Sequence, residues 1–113
     1  KGFYKFCNQY AFDHILVGNL AKEPIKKGEC YINLAEDDLE LILEKSIKKG
    51  LKIGKDIGII SYNETALKKF ILSGIATIST DFELMGKYAA QIIKDNEKKQ
   101  VEVPFYANYR PSI

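Results

Sequence analysis

The sequence predicts an α/β fold: one mostly parallel sheet flanked by helices. Three observations carry this. Strand-like and helix-like segments follow the order α-β-β-α-β-α-β-α-β, and strands joined through helices run parallel, with helices expected on both faces. The central strand candidate, Ile57 to Tyr62 ("IGIISY"), is apolar at nearly every position, as a strand covered on both faces requires. Ala35 to Lys49 carries an apolar stripe and correctly placed end charges, the mark of a helix packed on a sheet.

Phe3, Phe6, Cys7 and Tyr10 recur at helical spacing, so the chain opens in an amphipathic helix. His14 to Val17 ("HILV") is a short strand candidate closed by Gly18-Asn19. Ala21 to Gly28, with Pro24, reads as a loop. Glu29 to Leu34 ("ECYINL") is the second strand candidate. In the helix that follows, Leu39, Ile42, Leu43 and Ile47 mark the inner face. Glu36, Asp37 and Asp38 complement the dipole at its start, Lys48 and Lys49 at its end, and Gly50 supplies the terminating residue. Ala66 to Leu72 is a short helix candidate broken by Ser73-Gly74. Ile75 to Ser79 is the next strand. Thr80 to Glu83 has the S/T-x-x-E spacing of a capping box with Thr80 as the cap. The helix it opens shows Met85, Tyr88, Ala89, Ile92 and Ile93 on one face and ends at Asp95-Asn96. Val101 to Tyr106 is the last strand, and "RPSI" is a tail.

The 113 residues argue for one domain with a small core. The opening Lys1-Gly2-Phe3 has no initiator Met, signal peptide or transmembrane run, so a piece of a longer polypeptide is expected. The 17 basic residues are interspersed with 15 acidic ones. No basic stripe tracks a phosphate backbone, so DNA binding by this chain itself is not expected. Cys7 and Cys30, the only cysteines, form no C-x-x-C pair, and both are expected as buried, reduced thiols. A single His completes no metal set.

Catalytic motifs fail on inspection. "GLKIGK" has the wrong spacing for a phosphate loop, lacks the following Ser/Thr and precedes a strand. Neither G-x-G-x-x-G nor G-x-S-x-G occurs. His14 is expected as a packed or rim histidine with no partner for base catalysis. No enzyme, cofactor or metal is expected.

Three strand ends carry polar groups: Ala35-Glu36-Asp37-Asp38, Asn63-Glu64 and Thr80-Asp81-Phe82. In a parallel sheet these ends share the ligand-facing edge. Helix capping alone accounts for Glu36 to Asp38 and for Thr80 equally well. Asn63 is less easily explained by capping. Its amide both donates and accepts, which suits a hydroxylated ligand, and Phe82 offers a flat apolar face.

The stretch "GLKIGKDIGIISYNET" resembles the "G-hydrophobic-x-h-P-x-D-I-x-h-h-G-h-D-x-T" segment in effector domains of the lactose-repressor (LacI/GalR) family, which share the periplasmic-binding-protein type I fold. "GIATISTDFELMGKYAAQII" resembles the family's "L-T-T-I-x-Q-x-x-x-x-G-x-x-A-h-x-h-h" segment, and "FYANYRPS" its closing strand. The likeness runs from about Glu29 to Ile113. Departures are Gly54 in place of the usual Pro, Asn63 in place of a sugar-binding Asp, Thr80 near a frequent Gln, and Ala35-Glu36 in place of an Asn-Asp pair. "YNET…ISTDF" is also similar to GntR-type regulators that carry this effector domain behind a winged helix.

The resemblance implies that residues 1–113 form one α/β lobe, the C-terminal subdomain of a two-lobed domain that binds a sugar-like effector. It implies a cytoplasmic homodimer that meets DNA only through a domain missing from this chain and does not engage a membrane. The implied ligand set is Asn63, Glu64, Glu36, Asp37, Thr80 and Phe82. The implied dimer contacts are Leu39, Leu43, Leu67, Phe70 and Ile71. An extracytoplasmic sugar-binding protein of a transport system is the alternative.

Overall fold

The computed structural model describes all 113 residues, Lys1–Ile113. Its helices are α1 (Gly2–Tyr10), α2 (Glu36–Lys48) and α3 (Phe82–Asp95), and its strands are β1 (Cys30–Asn33), β2 (Gly58–Tyr62), β3 (Ala76–Thr80) and β4 (Phe105–Asn108). The sheet order is β1-β2-β3-β4. β1, β2 and β3 run parallel, and β4 returns antiparallel beside β3. This is the mixed, mostly parallel α/β architecture that the alternating pattern predicts.

The core lies between one sheet face and α2. Leu39 and Ile42 of α2 meet Ile57, Ile59 and Ile75, with Leu20 and Ile25 from the preceding loop closing the side. Fully burying each such isoleucine stabilises the fold by about 1.5–3 kcal/mol. Ser46 completes the inner face of α2 by donating to the Ile42 carbonyl (2.5 Å), which leaves Ile47 outside. Lys45 Nζ donates to the carbonyls of Leu20, Ala21 and Glu23 and fastens that loop to α2.

Several expectations change. His14–Val17 forms no strand, because no neighbouring strand is there to take its backbone bonds; Ile15, Leu16 and Val17 are exposed. His14 packs edge-on against Phe3 and Tyr4. β2 is sealed on one face only: Ile57, Ile59 and Ser61 are buried, whereas Ile60 is half-buried and Tyr62 exposed. The missing cover is α3, which buries no residue and leaves Met85, Tyr88 and Ile93 exposed. The radius of gyration is 17.1 Å, against roughly 13 Å for a compact chain of this length. Cys7 is buried but Cys30 is exposed on edge strand β1. Its thiol leans on Gly58, and partial burial raises its pKa.

The predicted helix 66–72 is instead two 3-10 turns, Leu67–Lys69 and Ile71–Ser73, with Leu72 and Ser73 at positive φ. The tight turns let the Lys68 carbonyl accept from Ile75 N as the chain re-enters the sheet. Thr80 is not the cap of α3. It ends β3 in register with Phe105, and Asp81 caps instead, accepting from Leu84 N at 2.9 Å. The last strand starts at Phe105 and not at Val101: Pro104 has no N–H for the ladder, and its carbonyl serves Asp81 N.

The tail is built into the opposite edge of the sheet. Ser112 Oγ donates to the Ile59 carbonyl and accepts from Ala76 N, both at 2.7 Å, while Ser112 O accepts from Ile59 N. The passage of Pro111 explains Gly54: with φ +81°, a β-carbon there would lie 1.9 Å from the Pro111 carbonyl oxygen.

Candidate functional site

Parallel β1, β2 and β3 end at one edge, so the three polar segments share a rim. Register aligns Asn33, Ser61, Thr77 and Asn108 in a row across all four strands. The first three are at most 4% exposed. The covered face is thus apolar near the amino edge and polar near the rim.

Asn63 follows β2 with φ 63°, a left-handed conformation that Asn tolerates. Its N–H donates to the Ile78 carbonyl at 2.8 Å, and its carbonyl accepts from Lys68 Nζ at 2.8 Å. Its side-chain Oδ1 is buried without a partner. Asn33 is similar: Nδ2 donates to the Ala35 carbonyl at 2.8 Å, and Oδ1 has no partner.

Glu64 has a structural role that its place in the motif does not reveal. Its Oε2 accepts from Thr77 Oγ1 (2.5 Å), Asn108 Nδ2 (2.8 Å) and Arg110 Nη1 (3.0 Å). Arg110 also donates to the Ile75 carbonyl. Burial works to raise the Glu64 pKa, but the hydrogen bonds from Thr77 and Arg110 outweigh it and the net shift is downward. Only Oε1 remains unpartnered.

Lys68 is the residue sequence reasoning missed. It is 1% exposed, yet its ammonium is fully bonded: to Glu36 Oε1 at 2.6 Å, to Asn63 O at 2.8 Å and to Tyr62 O at 3.0 Å. It ties the start of α2 to the end of β2 and holds the Asn63 backbone. The pair Lys68-Lys69 among Leu67, Phe70 and Ile71 was the only signal, and spacing does not say which of the two turns inward. Asn33 was missed because it sits inside an otherwise ordinary strand pattern.

The rest of the set is scattered along the rim. Glu36 is exposed beyond Lys68, and Asp37 is exposed with no ion partner. Thr80 is half-buried at the end of β3, and Phe82 is 50% exposed in the first turn of α3. Of the five residues named for self-association, Leu39 lies in the core, Leu43 and Ile71 pack against it, and Leu67 and Phe70 are exposed.

Two cavities lie elsewhere on the sheet, the second reaching Thr77 and Asn108 of the polar row. One of about 240 Å³ is a shallow groove at the amino edge, lined by Gly28, Glu29, Cys30, Gly54 and Asp56 among others. The other, about 110 Å³, lies on β2, β3 and β4 beside Ile60 and Tyr109. Neither contains an unpartnered buried polar group, whereas the rim and the row behind it contain four: Asn33 Oδ1, Ser61 Oγ, Asn63 Oδ1 and Glu64 Oε1. The polar chemistry therefore marks the open rim. No His, Cys, Asp or Glu cluster has the geometry of a metal site, and no helix is long and apolar enough to cross a membrane.

The strand order and directions define a mixed, mostly parallel α/β domain. No protein-family model matches the chain, and no curated protein is significantly similar to it in sequence. Solved structures do match in fold. A proposed transcription regulator from Staphylococcus saprophyticus superposes with TM-score 0.64 at 20% identity, over 82% of this chain and 34% of that one. The dimeric Lac repressor lacking 11 C-terminal residues gives 0.63 at 18% identity, over 74% and 32%. A LacI family regulator from Lactobacillus casei with bound glucose gives 0.60 at 13% identity, over 74% and 32%. The chain spans about a third of the length of these proteins. The likeness establishes a common fold with transcription regulators.

Proposed function

We propose that this chain is the C-terminal lobe of the effector-binding domain of a bacterial transcriptional regulator, of the GntR-type subtype. It forms one wall of a cleft for a small sugar-like molecule and acts by binding, without turnover. The observation that carries the reading is the common rim of β1, β2 and β3, where Asn63 holds a buried, unpartnered side-chain amide oxygen. The fold neighbours support it: their descriptions are those of regulators, one of them with bound glucose.

In this reading Asn63 contacts the effector directly, with Glu36, Asp37, Thr80 and Phe82 beside it. Glu64 shapes the rim from behind through Thr77, Asn108 and Arg110. Effector binding shifts the balance between DNA-competent and incompetent forms of a cytoplasmic homodimer by its differential affinity for them. DNA contact belongs to a domain outside this chain. Leu67 and Phe70 are the self-association residues left free to act.

The test is Asn63→Ala in the full-length protein, read by calorimetric titration of the effector. Loss of a buried hydrogen bond should weaken binding by about 1–3 kcal/mol. Unchanged affinity refutes the role given to Asn63.

A further inference from the structure

We propose that this rim selects a donor-rich ligand carrying an amino or other cationic group, and disfavours phosphorylated or carboxylated ones. The inference rests on the effector-binding reading above and adds the ligand's charge class.

The unpartnered buried atoms are all oxygens. Asn33 Oδ1, Asn63 Oδ1 and Glu64 Oε1 can only accept, and Ser61 Oγ can do either. Asn33 is 4% exposed and sits at the foot of α2, anchored through Nδ2 to the Ala35 carbonyl. Asn63 Nδ2 is free to donate, but the buried surplus at the rim is of acceptors, which donors on an occupant would satisfy.

Most of the cations near the rim are already committed. Lys68 is buried and bonded to Glu36 and two carbonyls. Arg110 is held by Glu64 and the Ile75 carbonyl. Lys87, on α3, pairs with Glu83. Lys69, next to Lys68 in the 3-10 turn, is exposed and has no ion-pair partner, so it is outnumbered by the unpaired carboxylates and does not match them.

The carboxylates are not all committed. Asp37 and Asp38, in the first turn of α2, have no ion-pair partner. The start of α2 lacks a side-chain cap, but its three acidic residues already answer the helix dipole, so an incoming anion meets negative charge there. At α3 the corresponding place is filled by Asp81. Unpaired lysines lie at the other edge of the sheet, where Lys52 and Lys55 precede β2. Charge along the strand direction thus draws anions to the amino edge and cations to the rim.

The full-length protein separates these cases by calorimetric titration with glucose, glucose 6-phosphate and amino-deoxyglucoses bearing the amine at C2, C3 or C6. The best amino sugar should bind about fivefold tighter than glucose at low salt, and glucose 6-phosphate more weakly than glucose. Adding salt, or substituting Asp37→Asn together with Asp38→Asn, should bring the amino-sugar to glucose ratio toward one. Phosphate ester binding at least as tight as glucose, or no amino sugar preferred, overturns this inference and leaves the effector-binding reading standing. Failure of every probe to bind overturns that reading and this one with it.

Discussion

Replacing Lys68 by methionine keeps most of the buried stem and deletes the ammonium. That ammonium donates to Glu36 at 2.6 Å, Asn63 O at 2.8 Å and Tyr62 O at 3.0 Å from a side chain 1% exposed. Leaving each carbonyl unpaired costs about 1–3 kcal/mol if water cannot reach it. The Glu36 pair adds only about 0–1 kcal/mol, because Glu36 is 59% exposed and solvent screens it. Against both stands relief of the ammonium's desolvation, several kcal/mol before its bonds are counted. Three good acceptors compensate most of that penalty, so the lost carbonyl bonds win and Lys68→Met should destabilise by about 2 kcal/mol. For a domain of this size that lowers Tm by roughly 8 °C. Hydrogen exchange should speed up at the Asn63 and Ile75 amides, which bond to the Ile78 and Lys68 carbonyls. Glu36→Gln should cost about 1 kcal/mol, more than the ±0.5 typical of surface sites, because it removes the counter-charge of a buried cation. A Lys68→Met protein as stable as the parent, with unchanged exchange at Asn63, refutes the reasoning and makes desolvation the larger effect.

Gly54→Ala should destabilise by more than about 2 kcal/mol, since the added carbon meets the Pro111 carbonyl in a backbone conformation disfavoured for alanine; thermal melting of the two proteins checks it. The Glu64 carboxyl is held below its ordinary value of 4.5 in the folded protein. Its contribution is therefore full above that value and is lost as pH falls through the lower folded value. Stability curves should show a shallower acid loss in Glu64→Gln than in the parent, from a lower starting stability.

The residues that announce the fold are those whose roles are local or periodic. Leu39 and Ile42 at helical spacing, the acidic first turn at Glu36 to Asp38 and the apolar run from Ile57 were enough to place α2 and β2. Gly50 ends α2 at φ +67°, as a glycine there implies. The shared rim was equally legible, because parallel strands bring their carboxyl ends together whatever the side chains. His14–Val17 misled because strand propensity reports suitability for a sheet and not the presence of a neighbour. α3 was placed correctly in sequence, yet its apolar stripe has no surface to meet, and periodicity does not reveal what lies opposite.

The sequence by itself determined α2, α3, the parallel run of β1 to β3 and the location of a polar rim, since these follow from periodicity, turn chemistry and chain connectivity; the antiparallel return of β4 and the 3-10 turns at 67–73 came only with the structure. Only the tertiary structure decided which polar residues at that rim are spent. Glu64 is drawn into a network with Thr77, Asn108 and Arg110. Lys68 turns inward to two carbonyls and Glu36. Asn63 and Asn33 keep oxygens to offer. The physical reason is that a bond between residues 46 positions apart, as from Arg110 to Glu64, depends on where folding brings them, and the direction a side chain takes is settled by its partners in space.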